Sequence, residues 1–200
     1  MSVDLTVALV SSAFTAIVGP IAVHLVKLKM EKSKLDVLRD AIANNSLVAN
    51  KVEEIKDQTG ADRVWITQFH NGGTFYPTGK SIQKFSMFYE TVSQGTNSMQ
   101  QSFQNIPISL LSKSINHLLE RSVIAVHDFE NETLNTYGLE YIAEVSGCKS
   151  TYQFAIKTID GKFIGILGLD YVKEPTHLLL EETNRLLVEA TTIGGVLYQK

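Results

Sequence analysis

Residues 151–172, TYQFAIKTIDGKFIGILGLDYV, decide the fold. Two apolar runs, 151–159 and 162–172, flank Asp160-Gly161, a dipeptide favoured in two-residue type I′ turns because both central residues need positive φ. Tyr152, Phe154 and Ile156 alternate on one arm; Phe163, Gly165, Leu167 and Leu169 alternate on the other. Alternation of this kind points side chains to opposite faces of a strand. Ile164 and Ile166 make the second face apolar too, which places the hairpin at the centre of an antiparallel sheet. Gly165 and Gly168 leave room for something to approach the sheet closely, and packing alone would use that room equally well.

Working upstream, residues 63–70, RVWITQFH, alternate as a strand and run into a Gly-rich stretch, His70-Asn71-Gly72-Gly73, that reads as a loop continuing through Pro77 and Gly79. Residues 84–92, KFSMFYETV, read as a second strand. Residues 109–121 have a helical period behind Pro107, 123–127 form a short apolar strand, and 134–145 form a helix stopped by Gly147. Downstream of the hairpin a closing helix is expected to open at Pro175-Thr176, with Glu181 and Glu182 near its positive end. Its stripe of Leu179, Leu186, Ala190, Ile193 and Leu197 should lie on the sheet. Beside it belongs the helix ending at Thr59-Gly60, whose inner face is Val48, Val52 and Ile55. The expected class is α+β: an antiparallel sheet of about five or six strands, with N- and C-terminal helices packed on one face.

A helix, then ADRVWITQFHNGG, then mixed elements, then the DGKFIGILGLDY hairpin and a closing helix resembles a GAF-type domain of the GAF/PAS superfamily, over roughly residues 45–199. The resemblance implies a module that binds a small molecule, often a cyclic nucleotide or a chromophore, or that serves dimerisation. Some GAF photoreceptors attach a bilin to a cysteine, but the residues around Cys148 lack that pattern, and a buried, inert thiol is expected there.

At the other end of the chain, no Asp, Glu, Lys or Arg occurs between Leu5 and Val26. A helix of that length rises about 33 Å, enough for a hydrocarbon core of about 30 Å. Residues 1–26 are therefore expected to form a transmembrane helix. Ala8, Ser12 and Ala16 recur at four-residue spacing, and Gly19 closes a parallel small-residue row, a pattern that favours close helix packing in lipid. Gly19-Pro20 should kink the helix. Lys27, Lys29, Lys32, Lys34 and Arg39 follow the run, and no basic residue precedes it, so the positive-inside rule puts the following domain in the cytoplasm. Residues 27–44 read as a helical stalk. Leu28, Leu35 and Ile42, with Leu38, Asn45 and Val52, form a short heptad-like seam that points to a homo-oligomer. Asn44-Asn45-Ser46 is the expected break before the domain at 45–200. One short membrane helix ahead of a single α+β domain is also similar in architecture to the holins of T-even-like phages. Those holins place the soluble domain in the periplasm, against the charge pattern.

The remaining composition excludes more than it assigns. A net charge of −3, with no basic stripe interleaved with aromatics, gives no reason to expect nucleic acid. One cysteine excludes an internal disulfide. His70, His117, His127 and His177 show no metal-ligand spacing. Candidate ligand contacts are His70, Asn71, Gly72 and Gly73, whose backbone N–H groups would face an anion, with Lys80 and Lys84 near enough in sequence to neutralise it. Tyr76, with Phe75 and Phe88, is a candidate aromatic wall, and His127-Asp128 a candidate polar wall or general-base pair. No nucleophile completes that pair, so no catalytic residue is assigned and the chain is read as a non-enzyme. The expected function is a membrane-anchored, GAF-like sensory or ligand-binding domain, oligomeric through its stalk, that binds a small molecule or a regulatory protein. The alternative is a holin-like permeabilising protein. No cofactor follows from the sequence.

Overall fold

The computed structural model describes residues 3–131 and 135–198, and their side chains except at 3–19 and 31–36. The chain divides into two compact units, Met1–Asn45 and Ser46–Lys200. Helix α1 (Val3–Thr59) contains Pro20 and runs without interruption through Asn44-Asn45-Ser46, so the boundary between the units falls at the expected break but inside a continuous helix. Each such residue costs a helix interior under about 0.7 kcal/mol. Burial of Val48, Val52 and Ile55 on the turns that follow stabilises by more than that.

In the first unit Leu28, Leu38 and Ile42 are half-exposed or more. Ala8, Ser12, Ala16 and Gly19, and most of the proposed span, lie outside the residues whose side chains are described. Among the described residues no helix is long and apolar enough to cross a membrane.

In the second unit α1 ends where the sequence says it should. Gly60 takes φ +67 and its N–H donates to the Lys56 carbonyl. Strands β1 (Arg63–Thr74), β2 (Ser81–Val92), β3 (Ile106–Pro107), β4 (Val123–Val126), β5 (Ser150–Lys157) and β6 (Phe163–Tyr171) build one six-stranded antiparallel sheet. Its order is β3-β2-β1-β6-β5-β4, so both arms of the β5–β6 hairpin are interior strands, as its two apolar faces require, with β6 and β1 in the middle. A 3-10 turn at Ile108–Leu111, α2 (Ser112–Arg121), α3 (Glu140–Ser146) and α4 (Leu180–Leu197) complete the fold.

Tyr152, Phe154, Ile156, Leu167 and Leu169 face α1 and α4, where Val48, Val52, Ile55, Leu186, Ala190 and Ile193 close one core. Trp65, Met87, Ile124, Ala155 and Ile166 belong to a second core on the opposite face, with Leu118 of α2.

Three local expectations are corrected. The β5–β6 connection is not a type I′ turn. The Gly161 N–H donates to the Thr158 carbonyl, the Thr158 N–H donates to the Lys162 carbonyl, and of the loop residues only Gly161 has positive φ. That is a type I turn followed by a left-handed glycine, the usual three-residue solution. Helix α4 starts at Leu180 rather than at Thr176. The Thr176 N–H donates to Ser150 Oγ, and the helix opens where Glu182 accepts the Leu179 N–H at 2.8 Å, so Leu178 is buried and Leu179 exposed. Helix α3 is shorter than predicted, starting at Glu140.

Asp62 ties the end of α1 to the end of β6. Its Oδ2 accepts the Val172 and Lys173 N–H groups at 2.9 and 3.0 Å, and Lys173 Nζ lies 2.9 Å from Oδ1. Burial pulls this carboxyl up, but the hydrogen bonds and the lysine outweigh it and hold it below the ordinary aspartate value. A carboxyl lowered on folding stabilises fully above the unfolded-state value, and that stabilisation is lost as pH falls through the folded one. Asp62→Asn should therefore be less stable than wild type at pH 7, by about 1–2 kcal/mol. The gap should close as pH falls below about 4. Denaturant titrations of both proteins across that range check it.

Candidate functional site

The sequence-predicted residues do not converge. His70, Asn71, Gly72 and Gly73 belong to strand β1, not to a loop. Beyond Gln68, β1 has left β6 and is laddered to β2, with His70 opposite Lys84 and Asn71 opposite Gln83. The backbone of His70 and Asn71, engaged in that ladder, does not curl its N–H groups around an anion, whereas Gly72 and Gly73 fall in the register irregularity between Asn71 and Thr74, with Gly73 at φ +100. His70 Nε2 instead meets Ser86 Oγ at 2.9 Å. Lys84 lies across Gly72, where an added Cβ would come 2.3 Å from the lysine chain. Lys80 is exposed and Tyr76 is 98% exposed, while Phe75 and Phe88 are about half exposed, so the expected aromatic wall is absent.

His127 lies past the end of β4, at the far edge of the sheet from β1. Three strand spacings, about 14 Å, separate those strands. Its Nδ1 is 2.6 Å from the Tyr152 hydroxyl, and its ring stacks on His177 with centroids 3.9 Å apart. The Asp128 carboxylate closes a turn instead of serving His127: Oδ1 accepts the Glu130 and Asn131 N–H groups and Oδ2 accepts from Asn131 Nδ2. Those bonds, that from Asn131 most, lower its pKa. Among the described residues no group of three metal-ligating side chains occurs.

The structure instead builds a cavity on the sheet face opposite α1 and α4. Trp65, Met87 and Ile166 form its floor, and Met99, Phe103, Leu111, Phe129 and Ile142 close over it. Its free volume is about 30 Å³.

One wall is a buried polar network. Arg63 and Asp170 face each other in the β1–β6 register, and Arg63 Nη1 donates to Asp170 Oδ2 at 3.0 Å. Trp65 Nε1 donates to the same oxygen at 2.9 Å, and Thr151 Oγ1 donates to Oδ1 at 2.8 Å. Arg63 Nη2 reaches the Asn97 carbonyl, and Nε lies 3.5 Å from Glu90 Oε1 without hydrogen-bond alignment. Glu90 also accepts the Met99 and Gln100 N–H groups, which ties the segment covering the cavity to β2.

Gly168 explains how Trp65 reaches Asp170. The two are register partners, and a Cβ on Gly168 would come 2.1 Å from the indole, which lies flat over the glycine. Gly165 is packed as tightly, against the Thr67 carbonyl. The room the glycines leave is thus filled by the protein itself. None of Arg63, Trp65, Thr67, Glu90 and Asp170 is marked by a sequence motif. The available signal was a carboxylate, Asp170, in an otherwise apolar strand.

Within the cavity, Ser114 donates to the Leu111 carbonyl and Cys148 Sγ to the Ser150 carbonyl. Thr67 is 1% exposed, and its buried hydroxyl has no partner among the described residues. Burial, then the neighbouring Asp170 charge, pushes the Cys148 thiol up. The thiolate is the nucleophile, so Cys148 should resist iodoacetamide in the native protein and react once denaturant unfolds it. Mass spectrometry of the alkylated chain checks this.

No family model matches this chain, and no curated protein matches it. Solved structures do, and they show the fold, which is that of GAF domains. Similar structures include the blue-light absorbing form of the Thermosynechococcus elongatus PixJ GAF domain, at 14% identity and TM-score 0.62, over 78% of this chain and 86% of that one. A far-red cyanobacteriochrome photoreceptor matches at 16% identity and TM-score 0.60, over 86% and 94%. The phycoerythrobilin-bound GAF domain of a cyanobacterial phytochrome matches at 16% and 0.62, over 83% and 91%.

Proposed function

We propose that this chain is a GAF-type sensory module that binds a small molecule, held at a membrane by its N-terminal helix with the folded domain on the cytoplasmic side. The observation that carries the binding role is the mainly apolar cavity holding a buried hydroxyl on Thr67 that has no partner among the described residues. Buried polar groups normally have partners, and an exception in a cavity points to an occupant. A phycoerythrobilin is bound by one structural neighbour, which supports a ligand role for the shared fold. The uncharged run from Leu5 to Val26 and the lysines after it support the anchor and its orientation. Half-exposed Leu28, Leu38 and Ile42 support self-association along the stalk. No turnover is part of this reading.

Two measurements test it. Full-length protein should sediment with membranes and resist alkaline extraction, and a variant lacking residues 1–30 should not. Native mass spectrometry of the purified full-length chain should show a small molecule released on unfolding. A freely soluble full-length chain would remove the anchor. A C-terminal reporter active in the periplasm, with abrupt collapse of the membrane potential on expression, would favour the permeabilising alternative.

A further inference from the structure

We infer that the cavity takes a compact, uncharged, single-ring molecule carrying one hydrogen-bonding group, held without a covalent bond. This rests on the ligand-binding reading above and names the ligand's class. Charge is the first constraint. Asp170 is the ionisable carboxylate on the wall, and Arg63, Trp65 and Thr151 already engage it. No Lys or Arg is among the lining residues described. A phosphate or carboxylate would therefore enter an apolar space without a counter-charge, at several kcal/mol. Nucleotides and other anions are excluded on that ground.

Size is the second constraint. A free volume of about 30 Å³ holds one or two waters at rest. Met87 and Met99 both line the space, and methionine re-packs readily around an irregular guest. Movement of two such side chains admits one ring and not a tetrapyrrole. Polarity is the third. The Thr67 hydroxyl lacks a partner among the described residues, and the Gln153 amide on the same sheet face also lines the cavity. A hydroxyl or ring N–H on the guest would satisfy Thr67. Cys148, buried and with its pKa raised, offers no thiolate for attachment.

The experiment uses the full-length chain, its single tryptophan, Trp65, as reporter, and four compounds: phenol, benzene, benzoate and phycocyanobilin. Trp65 lines the cavity, so its emission reads occupancy there and not partition elsewhere. Phenol should saturate the change and bind about tenfold tighter than benzene, the worth of one hydrogen bond in a closed site. Benzoate should not bind. Thr67→Val keeps the shape and removes the hydroxyl, so phenol and benzene should then bind alike. Benzoate binding as well as phenol, or an unchanged phenol preference in Thr67→Val, overturns the inference. So does phycocyanobilin binding while phenol does not, although that result keeps the ligand-binding reading. If no compound binds and no molecule is released from the purified chain, the inference and that reading fall together, and buried water is the occupant.

Discussion

Asp170→Ala is expected to lower the stability of the domain by about 3–5 kcal/mol, measured by denaturant unfolding. The substitution leaves Arg63, fully buried, facing an empty space where its carboxylate stood 3.0 Å away. Trp65 Nε1 loses its acceptor at the same time, while Thr151 Oγ1 keeps the Leu169 carbonyl at 3.2 Å. Glu90 remains at 3.5 Å from Arg63 Nε, but its oxygens already accept the Met99 and Gln100 N–H groups. A buried charge without its partner costs more than a well-packed apolar pair in its place. The double substitution Arg63→Met with Asp170→Leu should therefore be more stable than Asp170→Ala alone. If Asp170→Ala proves near neutral, the network does not organise this wall. Trp65 emission should shift with Asp170→Ala, because the indole loses the contact that holds it over Gly168.

The second large effect separates two adjacent glycines of α4. An added Cβ at Gly194 would come 2.2 Å from the Lys157 carbonyl oxygen and 3.3 Å from Ile156 Cγ2. A backbone carbonyl cannot rotate away as a side chain does, so α4 must lift off β5. Gly194→Ala should cost about 3 kcal/mol, although alanine favours a helix over glycine by about 1 kcal/mol. Gly195 has nothing within 4 Å of the same position, so Gly195→Ala should stabilise by up to about 1 kcal/mol. Opposite signs at neighbouring positions, read from thermal or denaturant unfolding, would place the close approach of α4 to the sheet at Gly194. Equal effects would contradict the packing described.

Much of the architecture was legible because it rests on local regularity. The alternation in residues 151–172 located an interior hairpin, and the Val48, Val52 and Ile55 spacing located the inner face of α1. The same reading went astray where a local preference competed with a longer-range one. Asp160-Gly161 favours a type I′ turn in isolation, but the Thr158–Lys162 pairing set a three-residue loop with positive φ at Gly161 alone. Asn71-Gly72-Gly73 looks like a loop by composition, yet Asn71 and Thr74 pair with β2 on either side of the glycines, which ride within β1 as an irregularity. Tyr89 and Met87 pair with the consecutive residues Ile66 and Thr67, a bulge that leaves Phe88 unpaired and half-exposed. Such an irregularity leaves no mark in the residues around it.

Taken alone, the chain's residue order locates most of its strands and helices, through strands with period two, helices with period near 3.6, and glycines at the stops, but not all of their ends. Those properties arise between residues a few positions apart. The cavity is different. Arg63 and Asp170 stand 107 positions apart in the chain and meet only through the β1–β6 register. Thr67 is an ordinary strand threonine until helices and loops bury it without a partner among the described residues. Which side chains share a buried space depends on strand order and register, and only the folded sheet determines those.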